Sequence, residues 1–254
     1  MKKSRAAMPQ GTADNIIAAY SSVLGGIVLD PALAQIPLDD HGFHRGHAVF
    51  DTCHIENGQA FGLSMHLDRL MDSAGAAKIL DAHADQGALR EELRSVVLEV
   101  AAATRRRDGV FIRYWLTAGR GDFSISPKDC SPPNFYCVAQ IDSHSATARR
   151  GRTAAVVPVP LKPPFLATMK STNYLLNALV AMEAEALGAD QGIQIGEDGF
   201  LAESSIATIA IVDAAGILRS PPADRILEST TWKRVEDLAA QVTSQATPRG
   251  PSLT

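Results

Sequence analysis

Alternation of short strand-like runs with two amphipathic helices in the first half is what most constrains this chain. AYSSVLGGIVLD (19–30) mixes β-branched residues with a Gly pair and reads as a strand and bend. IPLDDHGFHRGHAVFDTCHI (36–55) passes from a polar turn into a strand, and Glu56, Asn57 and Gly58 then signal a turn, so 48–62 is expected to be a hairpin. Ser64 is the expected cap of a helix through HLDRLMDSAGAAKI that buries Met65, Leu67, Leu70, Met71 and Ile79. A second helix over 88–106 would bury Leu89, Leu93, Val96, Val97 and Val100. Strands at 110–119 and 134–141 complete an α+β pattern.

SHSATARRGR (143–152), polar and locally basic, reads as a linker. It would join a domain over 19–142 to one over 153–241, with 1–18 a loose leader and 242–254 a coil-like tail. Beyond it come the strand TAAVVPVP, a bend at Pro163 and Pro164, and a helix over roughly 173–187 stopped near Gly188. A hairpin GIQIG–EDG–FLAE, strands at 206–212 and 217–220, and a helix WKRVEDLAAQV capped by Thr230 or Thr231 follow.

The composition excludes several classes. With 24 Lys and Arg against 28 Asp and Glu, the formal charge of -4 argues against a general nucleic-acid surface. No apolar run approaches the roughly 20 residues of a membrane helix. Cys53, Cys130 and Cys137 form neither a paired framework nor a metal-type cluster, which points to a reducing compartment. The basic start MKKSRAAM lacks an apolar signal core, so the cytoplasm is expected, with a plastid as the other compartment left open.

Six positions carry possible chemistry on residue type alone. Lys170 lies between the Pro-rich LKPPFLATM and a helix, where partial desolvation would make its amine nucleophilic; a solvated lysine at a helix entrance would look the same. Glu203 closes FLAE ahead of Ser204 and Ser205, as a fixed carboxylate or a turn cap. Thr230 and Thr231 suit a phosphate at a helix start or ordinary capping. Arg69, on an otherwise apolar face, would reach inward to a phosphate or snorkel to water. Arg113 shares a strand face with Phe111 and Trp115, which a buried carboxylate partner or a wet edge strand would explain. His41, His44, His47 and His54 lack standard ligand spacing, so no metal is expected.

These residues also sit in blocks that resemble the fold-type IV pyridoxal-phosphate enzymes. The blocks are PLDDHGFHRGHAVFDT (37–52), HLDRLMDSA (66–74), RYWLTAGRGDFSISP (113–127), LKPPFLATMKSTNYLLNALVAMEAEALGA (161–189) and DGFLAES (198–204). The resemblance is nearest the plant-type D-amino-acid aminotransferase branch. It implies a two-domain α+β fold, a small N-terminal α/β domain and a larger barrel-like C-terminal one, with pyridoxal 5'-phosphate between them and a homodimeric assembly. By the same resemblance Lys170 attaches the cofactor, Glu203 faces its ring nitrogen, and Arg69 and Thr231, with Thr230 beside it, hold its phosphate. Ser205 and Tyr174 match positions near the ring. Phe50 and Arg113 match the substrate side, and His44 and Arg45 stand in place of the residues found at that pocket mouth in some members.

The implied activity is transamination between a small amino acid, D-configured in the nearest branch, and a 2-oxo acid. Aminodeoxychorismate lyase, branched-chain aminotransferase and a catalytically impaired relative are the alternatives. Ser204 and Ser229 stand where relatives usually carry glycine. The family continues through further strands where this chain reads VTSQATPRGPSLT, so a shortened second domain is expected.

Overall fold

A computed structural model describes residues 15–80, 85–142 and 151–242. Most of the expected leader, residues 143–150 of the linker and the tail from 243 lie outside the described residues. The chain divides into two units, Met1–Arg149 with Lys170–Thr172, and Arg150–Met169 with Asn173–Thr254.

In the first unit the elements run β1 (Ile16–Ser21), β2 (Gly26–Val28), α1 (His41–Arg45), β3 (Ala48–Glu56), β4 (Gln59–Phe61), α2 (Leu63–Ala76), α3 (Gln86–Ala103), β5 (Val110–Thr117) and β6 (Asn134–Ile141). The strands form one antiparallel sheet in the order β2-β1-β6-β5-β3-β4. The β3–β4 hairpin turns on Asn57 and Gly58, with φ of 51° and 73°. Two consecutive left-handed residues give the turn whose twist matches the flanking strands, and Asn-Gly tolerates it best.

Period-two alternation puts Val49, Cys53 and Ile55 of β3 and Ile112, Tyr114 and Leu116 of β5 on the buried face. Against it α2 lays Leu63, Leu67, Leu70, Met71 and Ala74, and α3 lays Leu89, Leu93, Val97 and Val100. These spacings of three and four form one helical stripe, and each leucine contributes roughly 1.5–3 kcal/mol by leaving water. Met65 and Val96, expected in the core, are only partly buried.

Local expectations fail where short-range chemistry decides. The polar turn before β3 is instead the helix α1, closed by Asp40 at its start and by left-handed Gly46 at its end. Ser64 does not cap α2: left-handed Gly62 precedes the helix and Ser64 lies in its first turn.

The second unit contains β7 (Ala154–Val156), α4 (Pro164–Ala167), α5 (Leu175–Ala186), β8 (Gln191–Ile195), β9 (Leu201–Ser204), β10 (Ile211–Val212), β11 (Leu218–Arg219) and α6 (Thr230–Val242). β7-β8-β9 form one sheet, parallel then antiparallel, and β10 pairs with β11. Val157, Val159, Val180 and Ala184 make its core. A Cβ on Gly192 would stand 2.6 Å from both Cγ1 and O of Val180, so glycine is what lets β8 run against α5. The strand expected over 206–212 shrinks to Ile211–Val212, with Ile206 exposed.

Candidate active site

In the first unit the site starts from the edge of β3. Its far half pairs with β4 through His54, Ile55 and Glu56. Alongside its near half lies the three-residue piece Lys170–Thr172. Phe50 N donates to Lys170 O (2.9 Å) and Thr172 N to Ala48 O (2.9 Å), bracketing a bridge between Val49 and Ser171. Lys170 N donates to Ser73 Oγ (3.1 Å) and Thr172 Oγ1 to Gly46 O (3.1 Å). Lys170 therefore sits on a sheet edge, not at a helix entrance. The lysine is part-buried and its Nζ lies 4.7 Å from the centre of the Phe50 ring.

The opposite face of β3 carries Asp51, fully buried. Arg69 of α2 meets it twice, Nε to Oδ2 and Nη2 to Oδ1, each at 2.8 Å. His66 Nδ1 lies 3.0 Å from Oδ1, and Thr52 N donates to the same oxygen at 2.7 Å. Burial pushes the Asp51 carboxyl up, but the hydrogen bonds from His66 and Arg69, with their charge, outweigh it and hold the group below the usual carboxylate range.

Phe50 and Thr52 lie in register with Trp115 and Arg113. Arg113 has neither a buried carboxylate nor an edge position. It is exposed on a central strand, and its Nε donates to Thr52 Oγ1 (3.2 Å). On α1, Arg45 donates to the carbonyls of Phe123 and Ser124. His44 packs edge-on against His41 and lies tilted against Phe123, ring centres 5.0 Å apart. Asp40 holds this helix: its Oδ1 accepts from Gly42 N, and its Oδ2 from Thr117, Asn134 and Tyr136 side chains at 2.7–3.0 Å. Among the described residues no group of three His, Cys, Asp or Glu is arranged for a metal ion.

In the second unit Glu203 lies on β9, where its Oε1 accepts from Leu227 N at 3.4 Å. Ser204, in place of the family's glycine, is buried with its hydroxyl on Gln191 Oε1 (2.9 Å), so its side chain is housed rather than crowded. Ser205 O accepts from Asn177 Nδ2 (2.7 Å), tying the loop after β9 to α5. Thr230 and Thr231 are the first residues of α6, but Ser229 is the cap, its Oγ accepting from Trp232 N (3.1 Å). That corrects the expected threonine cap.

Tyr174 immediately precedes α5, and Lys162 Nζ lies 4.8 Å from the centre of its ring. Burial lowers the Lys162 pKa while Glu203 opposes the shift. Lys162 and Asp51 are the two residues that sequence reasoning missed. Asp51 carried a signal: it is the one charged residue in the inward series Val49, Asp51, Cys53, Ile55. Lys162 carried a weaker one, a lysine between Leu161 and two prolines.

Comparison with known proteins gives a consistent result. Residues 48–249 match the amino-transferase class IV family. The chain is 43% identical over 233 residues to the chloroplastic D-amino-acid transaminase of Arabidopsis thaliana, covering 90% of this chain and 60% of that protein's length. It is 33% identical over 221 residues to a putative branched-chain-amino-acid aminotransferase of Methanocaldococcus jannaschii, covering 86% of this chain and 74% of the relative. The crystal structure of a branched-chain aminotransferase from Thermoproteus uzoniensis with norvaline superposes with a TM-score of 0.79 at 25% identity, covering 94% of this chain and 79% of that one. No helix among the described residues is long and apolar enough to cross a membrane. The α+β, fold-type IV architecture expected from the resemblance is the one found, and the chain belongs to the class IV aminotransferase family.

Proposed function

We propose that this protein is a pyridoxal-phosphate-dependent transaminase moving an amino group between a small D-amino acid and a 2-oxo acid, as a homodimer. The observation that carries the reading is Lys170, whose backbone is bonded on the edge of β3 and whose amine stands over Phe50. Each unit carries donors of the kind the cofactor takes. There is an amine for its aldehyde, a guanidinium on a buried carboxylate and two hydroxyls at a helix start for its phosphate, and a carboxylate on β9 for its ring nitrogen.

When bound, pyridoxal phosphate supplies an electron sink for the charge left at the substrate Cα as its proton departs. Lys170 acts as the base that takes that proton and the acid that returns it. Glu203, as a carboxylate, keeps a proton on the ring nitrogen. Arg69 and the first residues of α6, Thr230 and Thr231, hold the phosphate still; the opening amides of a helix have no internal partners and favour an anion. Tyr174 and Ser205 would lie beside the ring, and Phe50, Arg113, His44 and Arg45 would line the substrate side.

Substrate class and compartment lean on the 43% identity to a chloroplastic D-amino-acid transaminase, which favours D-amino acids and a plastid over L-branched substrates and the cytoplasm. The test is the visible absorption band of the purified protein with pyridoxal phosphate. It should vanish in Lys170→Ala and leave wild-type protein turning over D-alanine with 2-oxoglutarate faster than L-leucine. Turnover of aminodeoxychorismate alone would make the protein a lyase, and no band at all would make it a catalytically impaired relative. Sedimentation equilibrium reads the dimer.

A further inference from the structure

We propose that Asp51 is a positioning residue that fixes the guanidinium of Arg69 in the orientation from which it meets the cofactor phosphate. The proposal rests on the reading of Arg69 given above and extends it to a residue that never touches the cofactor.

A buried acid at this position carries a cost. Asp51 has a side-chain exposure of 0% and stands between Val49 and Cys53 on the core face of β3, where an apolar residue would pack at no electrostatic expense. Removing a carboxylate from water is expensive unless its oxygens are bonded and its charge is paired. Here both oxygens are used. Oδ2 accepts from Arg69 Nε, and Oδ1 accepts from Arg69 Nη2 and from Thr52 N, with His66 Nδ1 3.0 Å away. His66 and Arg69 sit three residues apart on α2, so one face of the helix delivers both side chains to one acid.

The manner of the pairing carries the rest. Arg69 spends the edge formed by Nε and Nη2 on Asp51. A guanidinium is planar, with two parallel-donor forks, so fixing that edge also fixes the plane and direction of the second fork, formed by Nη1 and Nη2. Forked donors of this kind match a phosphate bidentately. Arg69 keeps 16% of its side-chain exposure while its partner keeps none, so the acid is the more deeply buried of the two. A long side chain held at its root in this way meets an anion without first losing rotamer freedom.

The experiment compares two ligands that differ only in the phosphate, pyridoxal phosphate and pyridoxal, by titrating the purified full chain and following absorbance. In the wild type the ratio of their dissociation constants measures the phosphate's contribution. Asp51→Asn, close to isosteric, is expected to cut that ratio by about tenfold while pyridoxal itself binds within about twofold of wild type. In an Arg69→Ala background the same change is expected to do nothing further to the ratio.

An unchanged or increased ratio in Asp51→Asn overturns the proposal. So does an equal weakening of both ligands, which marks a purely structural acid. If Asp51→Asn does not fold, Asp51→Glu, which keeps the charge but displaces the fork, is expected to show the same selective loss. Wild-type protein that binds neither ligand overturns the cofactor assignment itself, and this proposal with it; wild-type binding with an unaltered ratio overturns this proposal alone.

Discussion

In the first unit six strands share one sheet, and two long helices bury a continuous set of leucines and valines against it. In the second, the strands are short and the core is the small cluster Val157, Val159, Val180 and Ala184, while Phe165, Leu175, Met182 and Ile206 are more than 60% exposed. Apolar area removed from water is the main term opposing chain entropy, so the two units should differ in how hard they are to open. Lys170 is anchored in the well-packed unit, and Glu203 belongs to the thinner one.

The largest test of this contrast is a pair of cavities. Leu67→Ala in α2 is expected to destabilise the first unit by about 3–5 kcal/mol, and Val180→Ala in α5 to cost the second about 2 kcal/mol, read by denaturant titration. Equal losses would break the comparison. Native-state hydrogen exchange sharpens it: amides of β5 and β6 should be protected about a hundredfold more than those of β8 and β9.

Titration tests the two units in different pH windows. Burial lowers the pKa of His41, with His47 and His44 adding to the effect, so its neutral ring is favoured in the fold. The stability this contributes is present above about pH 6.5 and is lost as pH falls through the folded value. The melting temperature should drop on acidification below that point, with a shallower slope in His41→Gln. Lys162 of the second unit has a lowered pKa of the same sign in a more alkaline window, a penalty carried at neutral pH and relieved as pH rises through its folded value. Lys162→Met should therefore raise the melting temperature at pH 7.

The smallest effect expected is chemical. Burial pushes the Cys53 thiol up to about 12 and Cys137 well above its ordinary value, while Cys130 is only part-buried. Native alkylation at neutral pH should label Cys130 first.

What was legible in the sequence follows the same division. The β3–β4 hairpin, α2 and α3 announce themselves because Asn57–Gly58 and the three-and-four spacing of Leu63, Leu67, Leu70 and Met71 are local signals. α1 was hidden, because five residues containing Gly42 and two histidines carry no period, and only the distant partners of Asp40 show why the helix holds. Lys170, Glu203 and Arg69 were legible through the family blocks. Their supports were not: Asp51 and Arg69 are 18 residues apart, and nothing local says that one bonds the other. The cap on α6 went to Ser229 because a hydroxyl one residue earlier reaches the first-turn amide that Thr230 and Thr231 were expected to reach.

The three-residue stitch at Lys170 holds more than a strand edge. Its carbonyl and amide are both engaged, by Phe50 and by the Ser73 hydroxyl, so the root of this side chain is a fixed pivot. Whatever travel the amine needs between partners is then a matter of four side-chain torsions swinging about a stationary hinge, and the chemistry can proceed without the main chain changing course.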